Sequence, residues 1–274
     1  MRSPSLRSVL ASVVLVCALH PVQAEDILFI GNSYTYGGAE VSIAKFGGIP
    51  KVVEAIAKSK GHTANTMMLV SGGKDWGYHL AQPATDKALP EKPWDWVVLQ
   101  DYSVKSTHVG NIEEFRKNGE AFYLRIRSAS PKAKILLYAT WARGKGNAMF
   151  TGTSSPKSFA DPAEMFAEIR KAYVDLQATL EALEPAPNQI ALAPVGTAFE
   201  LSLARYPEIN LYAKDLHHPS PAGCYLSGLV IEAVLFGDNP EGATNVLPGT
   251  TIDAEVAKKL QGIAAQAVEE LRKP

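Results

Sequence analysis

Short runs of apolar and β-branched residues recur along the chain at Ile27–Ile30, Met67–Val70, Trp96–Leu99, Ile135–Ala139 and Ile190–Ala193. Between them the apolar positions take helical spacing, at Pro50–Lys60, Ile112–Ser128 and Pro162–Leu183, and later at Ala222–Leu235 and Asp253–Leu271. Strand and helix therefore alternate. This predicts an α/β chain, a three-layer α/β/α arrangement with a flavodoxin-like parallel sheet of about five strands and helices on both faces. In such a sheet ligands are expected outside the carboxyl ends of the strands. The longest irregular stretch, Arg143 to Asp161, follows the fourth strand and would overhang that same end, as a functional lip or as a tolerated surface insertion.

The first segment reads differently from the rest. Arg2 and Arg7 precede an apolar stretch, Val9–Leu19, that is too short to span a bilayer, and Val22-Gln23-Ala24 offers small residues for cleavage. Residues 1–24 are thus expected to be a secretory signal peptide cleaved after Ala24, which implies export to a periplasm or the medium. Residues 25–274 then form one domain of 250 residues. Cys17 follows Val16, which is too bulky for a lipoprotein cleavage site, so no stable membrane anchor is expected after cleavage. Cys224 is left as the only mature cysteine, so an ordinary hydrophobic core rather than an internal disulfide must hold the domain. Without Arg2 and Arg7, 25 Lys and Arg face 28 Asp and Glu, a net charge near −3. No basic block stands out as a footprint for nucleic acid or anionic lipid.

Candidate chemistry begins at Ser33, which ends the first apolar run in Gly31-Asn32-Ser33. Thr35 replaces the last glycine of a Gly-x-Ser-x-Gly elbow, and a serine after a strand is ordinarily a turn or cap residue. Gly31, however, lets the chain turn sharply and lift the hydroxyl above the sheet edge, and the Ser33 N–H would point toward the same space. Near the other end stands Asp215-Leu216-His217-His218-Pro219. On a tight loop the carboxylate can hold one imidazole nitrogen and leave the other facing a serine. Spacing alone leaves both His217 and His218 open as the base.

With these two motifs the chain resembles the SGNH, or GDSL-like, hydrolase superfamily. The resemblance implies Ser33 as nucleophile, His218 as base and Asp215 as its partner, because the last block of that family reads Asp-x-x-His-Pro. It also implies a backbone donor after the second strand, where Gly72-Gly73 stands; the register to Trp76 and His79 favours Gly73. The third block departs from the family. Where Gly-x-Asn-Asp is usual, Leu99 runs into Gln100-Asp101-Tyr102-Ser103. A glutamine amide carries the same donor on a longer stem, so Gln100 is the expected substitute and Ser103 the alternative.

Trp141 and Arg143, at the end of the fourth strand, are candidate substrate contacts, against a bland reading as core tryptophan and solvated arginine. Trp76, Tyr78, Trp94 and Trp96 offer rings for sugar stacking or, more ordinarily, packing. His62, His79 and His108 are scattered without metal-ligand spacing. Asp215, His217 and His218 are not expected to bind zinc, since adjacent side chains on an extended loop diverge. The expectation is an exported serine esterase without metal or cofactor, acting on a small-molecule or carbohydrate ester and most readily on acetyl groups. The alternatives are a lipid or aryl esterase and a catalytically inert carbohydrate-binding protein on the same fold.

Overall fold

The computed structural model describes residues 24–38, 41–152 and 158–272, so the expected signal peptide lies, up to residue 23, outside the described residues. Strand β1 (Glu25–Gly31) runs into α1 (Ser33–Tyr36), followed by α2 (Val41–Lys45), α3 (Gly48–Ser59), β2 (Ala64–Val70), α4 (Trp76–Leu80), α5 (Pro83–Ala88) and β3 (Trp96–Leu99). Next come α6 (Ile112–Ala129), β4 (Lys134–Tyr138), α7 (Ala148–Thr151), α8 (Pro162–Leu183), β5 (Ile190–Ala193) and α9 (Val195–Arg205). The chain ends with α10 (Pro221–Phe236), the small hairpin β6 (Val246–Leu247) and β7 (Thr250–Thr251), and α11 (Ala254–Arg272). Among the described residues, no helix is long and apolar enough to cross a membrane.

The five long strands form one parallel sheet in the order β2-β1-β3-β4-β5. Its two faces are both apolar, because successive strand residues alternate between two cores. Ile27 and Phe29 of β1, with Val98 and Leu136, pack on the side of α3, α9, α10 and α11. Leu28 and Ile30, with Val97 and Leu137, face α6 and α8. This is why the strands read as continuous apolar runs and not as alternating ones. Helix α10 lies in the middle of its layer, and only Pro221, Ala222, Val234 and Phe236 escape full burial. Its sequence accordingly lacks an amphipathic stripe.

Helix α9 is the main element that periodicity does not predict. It starts straight after Pro194, and its Gly196 packs so closely that a Cβ would lie 2.3 Å from the Thr140 carbonyl oxygen. Tertiary contact, more than helical propensity, holds it in place. From β1 the chain crosses to β2 on one side and returns to β3 on the other. The carboxyl end of β1 is therefore the switch point of the sheet, and Ser33 stands there.

Candidate active site

The turn that carries Ser33 is held from beneath. A Cβ on Gly31 would lie 2.3 Å from Thr35 Oγ1 and 2.7 Å from Gln100 Oε1, so any larger residue would push apart the hydrogen bond between these two side chains. The Gly31 carbonyl accepts from His79 Nε2 at 2.8 Å and from the Ser71 N–H at 3.1 Å. Asn32, 2 % exposed, caps α1 by accepting from the Tyr34 N–H, and its Nδ2 donates to the Lys74 carbonyl at 2.9 Å. The first turn is thus tied to the loop that holds Gly73.

Gln100 differs from its expected role. It is buried under the Ser33 turn, where Oε1 accepts from the Asn32 N–H and the Thr35 hydroxyl, both at 2.9 Å. Two donors facing one atom fix the amide orientation and turn Nε2 to the Asp101 carbonyl. The side chain presents an acceptor toward the Ser33 turn and acts as its clamp. Ser103, the alternative donor, is buried as well. Asp101 is also buried; its Oδ1 accepts from the Trp76 and Tyr102 N–H groups at 2.7 and 2.8 Å, while Oδ2 has no partner among the described residues. Burial outweighs those two bonds and pushes the carboxyl up to about 7.

Asp215 and His218 meet as the spacing suggests. His218 Nδ1 donates to Asp215 Oδ2 at 2.7 Å, and Asp215 Oδ1 accepts from the backbone N–H groups of His217 and His218, each at 3.0 Å. Leu216 takes a left-handed φ of 59°, which costs about 1 kcal/mol and wraps these two N–H groups around the carboxylate. Partial burial raises the Asp215 pKa, but the His218 ring and the two backbone donors more than offset it and hold the group at about 2. His217 stays low because of burial and of its neighbour His218. Contrary to expectation, the two imidazoles do not diverge. Their centroids are 4.0 Å apart, and with Asp215 they offer atoms within 4.8 Å of one another.

The histidine loop sits over the serine turn. The His218 ring packs edge-on to Tyr34, 5.7 Å between centroids, and a Cβ on Gly38 would lie 2.4 Å from His218 Cδ2. Among the described residues no hydrogen bond joins Ser33 to His218. Gly73 occupies the turn Ser71–Lys74, closed by the Lys74 N–H on the Ser71 carbonyl at 3.2 Å. The backbone N–H groups of Ser33 and Gly73 have no hydrogen-bond partner among the described residues. Beside Gly73 a groove opens, lined by Lys74, Asp75, Tyr78, Tyr102 and Lys105.

Trp141 is corrected from a substrate contact to a support. It is fully buried in a stack between Tyr34 (4.6 Å) and Phe199 (4.3 Å), and its Nε1 donates to the His217 carbonyl at 3.0 Å. Trp76, Trp94 and Trp96 are buried too, leaving Tyr78 as the partly exposed ring of that set. Arg143 is half-buried, its charge is felt at Tyr34 and His217, and its Nε has no partner among the described residues. The expected lip is partly stitched down. The Gly144 N–H donates to the Leu216 carbonyl at 2.7 Å and Asn147 Nδ2 to the Asp215 carbonyl at 3.2 Å, while residues 153–157 lie outside the described residues. Sequence reasoning named Asn32 as part of the Gly31-Asn32-Ser33 motif but not its cap and its bond to Lys74, and it missed Gly38 and Asn147, for which the pair Gly37-Gly38 was the one available signal.

No protein-family model matches the chain, and no curated protein does. Solved structures do. A DUF4886 family protein from Bacteroides uniformis superposes with a TM-score of 0.70 at 17 % identity, over 92 % of this chain and 97 % of that one. An acetyl xylan esterase, AlAXEase, gives 0.52 at 20 % identity over 75 % and 97 %. TesA gives 0.54 at 14 % over 78 % and 99 %. With the sheet order and the position of Ser33, these likenesses show that the chain has an SGNH/GDSL-like fold of the three-layer α/β/α kind.

Proposed function

We propose that the protein is a serine ester hydrolase that removes acetyl or other short acyl groups from carbohydrate. The observation that carries this is the 2.7 Å bond from His218 Nδ1 to an Asp215 held at about 2, above the turn of Ser33. With Nδ1 protonated, Nε2 keeps its lone pair and takes the proton from Ser33 Oγ as that oxygen attacks the ester carbonyl. The backbone N–H groups of Ser33 and Gly73 receive the developing oxyanion. His218 then returns the proton to the leaving alcohol, and water repeats the sequence on the acyl-serine to release the acid.

The groove beside Gly73 supports the carbohydrate reading, because Tyr78 and Tyr102 stand among Lys74, Asp75 and Lys105, and this mix suits hydroxylated rings better than an acyl chain. Likeness to an acetyl xylan esterase points the same way. Arg143 is the candidate group for positioning the substrate from the His217 side, and export follows from the reading of residues 1–24. The test is turnover of chromogenic acetyl, butyryl and longer esters by the wild type and Ser33→Ala. Wild-type turnover at least about a thousandfold above the variant, steepest for acetyl, is expected. Equal rates would make the fold an inert binder, and a preference for long acyl chains would favour a lipid esterase.

A further inference from the structure

At the far end of the molecule from Ser33, folding gathers three residues that are widely separated in sequence. Glu232 lies in the last turns of α10, about 18 Å of helix rise from Ser220. It is 0 % exposed, and neither carboxylate oxygen has a hydrogen-bond partner among the described residues. A buried carboxyl group without any donor is costly and rare, and its presence calls for a missing partner. Lys60 is felt at Glu232 as a charge but does not bond to it; its Nζ donates to the Glu241 carbonyl at 2.9 Å. Facing Glu232 are His62, from the turn between α3 and β2, and Asp238, just beyond the end of α10. His62 Nε2 and Asp238 Oδ2 are 2.7 Å apart, and the His62 ring is fixed by stacking on Phe236 at 4.5 Å. One ligand atom from each of the three lies within 4.8 Å of the others.

We infer that His62, Glu232 and Asp238 form a binding site for a divalent transition-metal ion that ties the α3–β2 turn to the end of α10. Two carboxylates and a neutral imidazole carry a charge of −2, which such an ion balances. One nitrogen with two oxygens suits Zn²⁺ or Mn²⁺, whereas Ca²⁺ and Mg²⁺ prefer oxygen alone. Bonds of roughly 2.0–2.2 Å require the three side chains to close in slightly. On binding, the neutral His62 ring changes tautomer: the proton that Nε2 shares with Asp238 is exchanged through solvent to Nδ1, and the Nε2 lone pair and the carboxylate turn to the ion. His62 and Asp238 are about 30 % exposed, which leaves an entry path and room for water as a further ligand. The site is independent of the proposed catalysis.

The test is calorimetric titration of chelator-treated full-length protein with ZnCl₂ and MnCl₂, with MgCl₂ and CaCl₂ as controls, read together with thermal melting. One Zn²⁺ or Mn²⁺ per chain is expected, with a rise in Tm. Glu232→Gln should weaken this binding about a hundredfold or more, with an undiminished Tm in chelator. Asp238→Asn, at a more exposed position, repeats the test if the first variant does not fold. His217→Ala should leave binding unchanged. Absence of saturable binding, binding that survives both ligand substitutions, or binding lost in His217→Ala would each overturn the proposal.

Discussion

Replacing Asp215 by Asn separates what the carboxylate does for the fold from what it does for the chemistry. The folded protein moves this group from 3.8 down to about 2, which corresponds to roughly 2.5 kcal/mol of stability. The side chain is 34 % exposed, so solvent screening reduces this to about 1 kcal/mol. Because the folded value lies below the unfolded one, that contribution is present above about pH 4 and is lost as pH falls through 2. An asparagine keeps an oxygen for the backbone N–H groups of His217 and His218, but it turns a donor toward His218 Nδ1. The imidazole must then take the other tautomer and present Nε2–H to Ser33. The expected loss in kcat is about ten-thousandfold, or roughly 5 kcal/mol, several times the loss in stability. Urea unfolding and kcat/KM on p-nitrophenyl acetate measure the two quantities. A folded Asp215→Asn enzyme within tenfold of wild type would refute the triad reasoning.

Other consequences are equally open to measurement. Gly38→Ala puts a methyl group 2.4 Å from His218 Cδ2 at a φ of +58°, so kcat should fall about a hundredfold with normal circular dichroism; unchanged kcat would show that the ring is not held there. Gln100→Leu leaves the Asn32 N–H and the Thr35 hydroxyl buried without their acceptor and should cost about 2–5 kcal/mol in urea unfolding, whereas full stability would dismiss the clamp. Asp101, raised to about 7 by burial, holds its proton in the folded state to higher pH than when unfolded, so its contribution to stability declines between about pH 4 and 7. Asp101→Asn should flatten that part of the profile, and an unaltered slope would remove Asp101 as its source.

Strands β1, β3, β4 and β5 were legible because they are largely buried on both faces and so read as apolar runs, whereas the edge strand β2 is partly exposed along its length and was legible only over Met67–Val70. Helix α9 was not, since its place depends on close contact between Gly196 and Thr140. Asp215 and His218 were legible because their contact spans only three residues. The roles of Gln100 and Trp141 were not legible. A glutamine offers both a donor and an acceptor, and only the positions of Asn32 and Thr35 decide which one faces the turn. A tryptophan at a strand end can be read as a substrate contact or as core, and only the closing of Tyr34 and Phe199 over it decides for the core. His62 looked isolated for the same reason. Its neighbours Glu232 and Asp238 are about 170 residues away in sequence and adjacent only after folding.

The central claim is that Ser33 is a nucleophile activated by His218. A fluorophosphonate probe tests it without any assumption about the substrate, since the serine oxygen bonds to phosphorus as fluoride leaves. Intact mass and peptide mapping should show one adduct per chain, on Ser33, formed by the wild type and nearly absent from His218→Ala. An unmodified protein, an adduct at another residue, or equal labelling of His218→Ala would contradict the account.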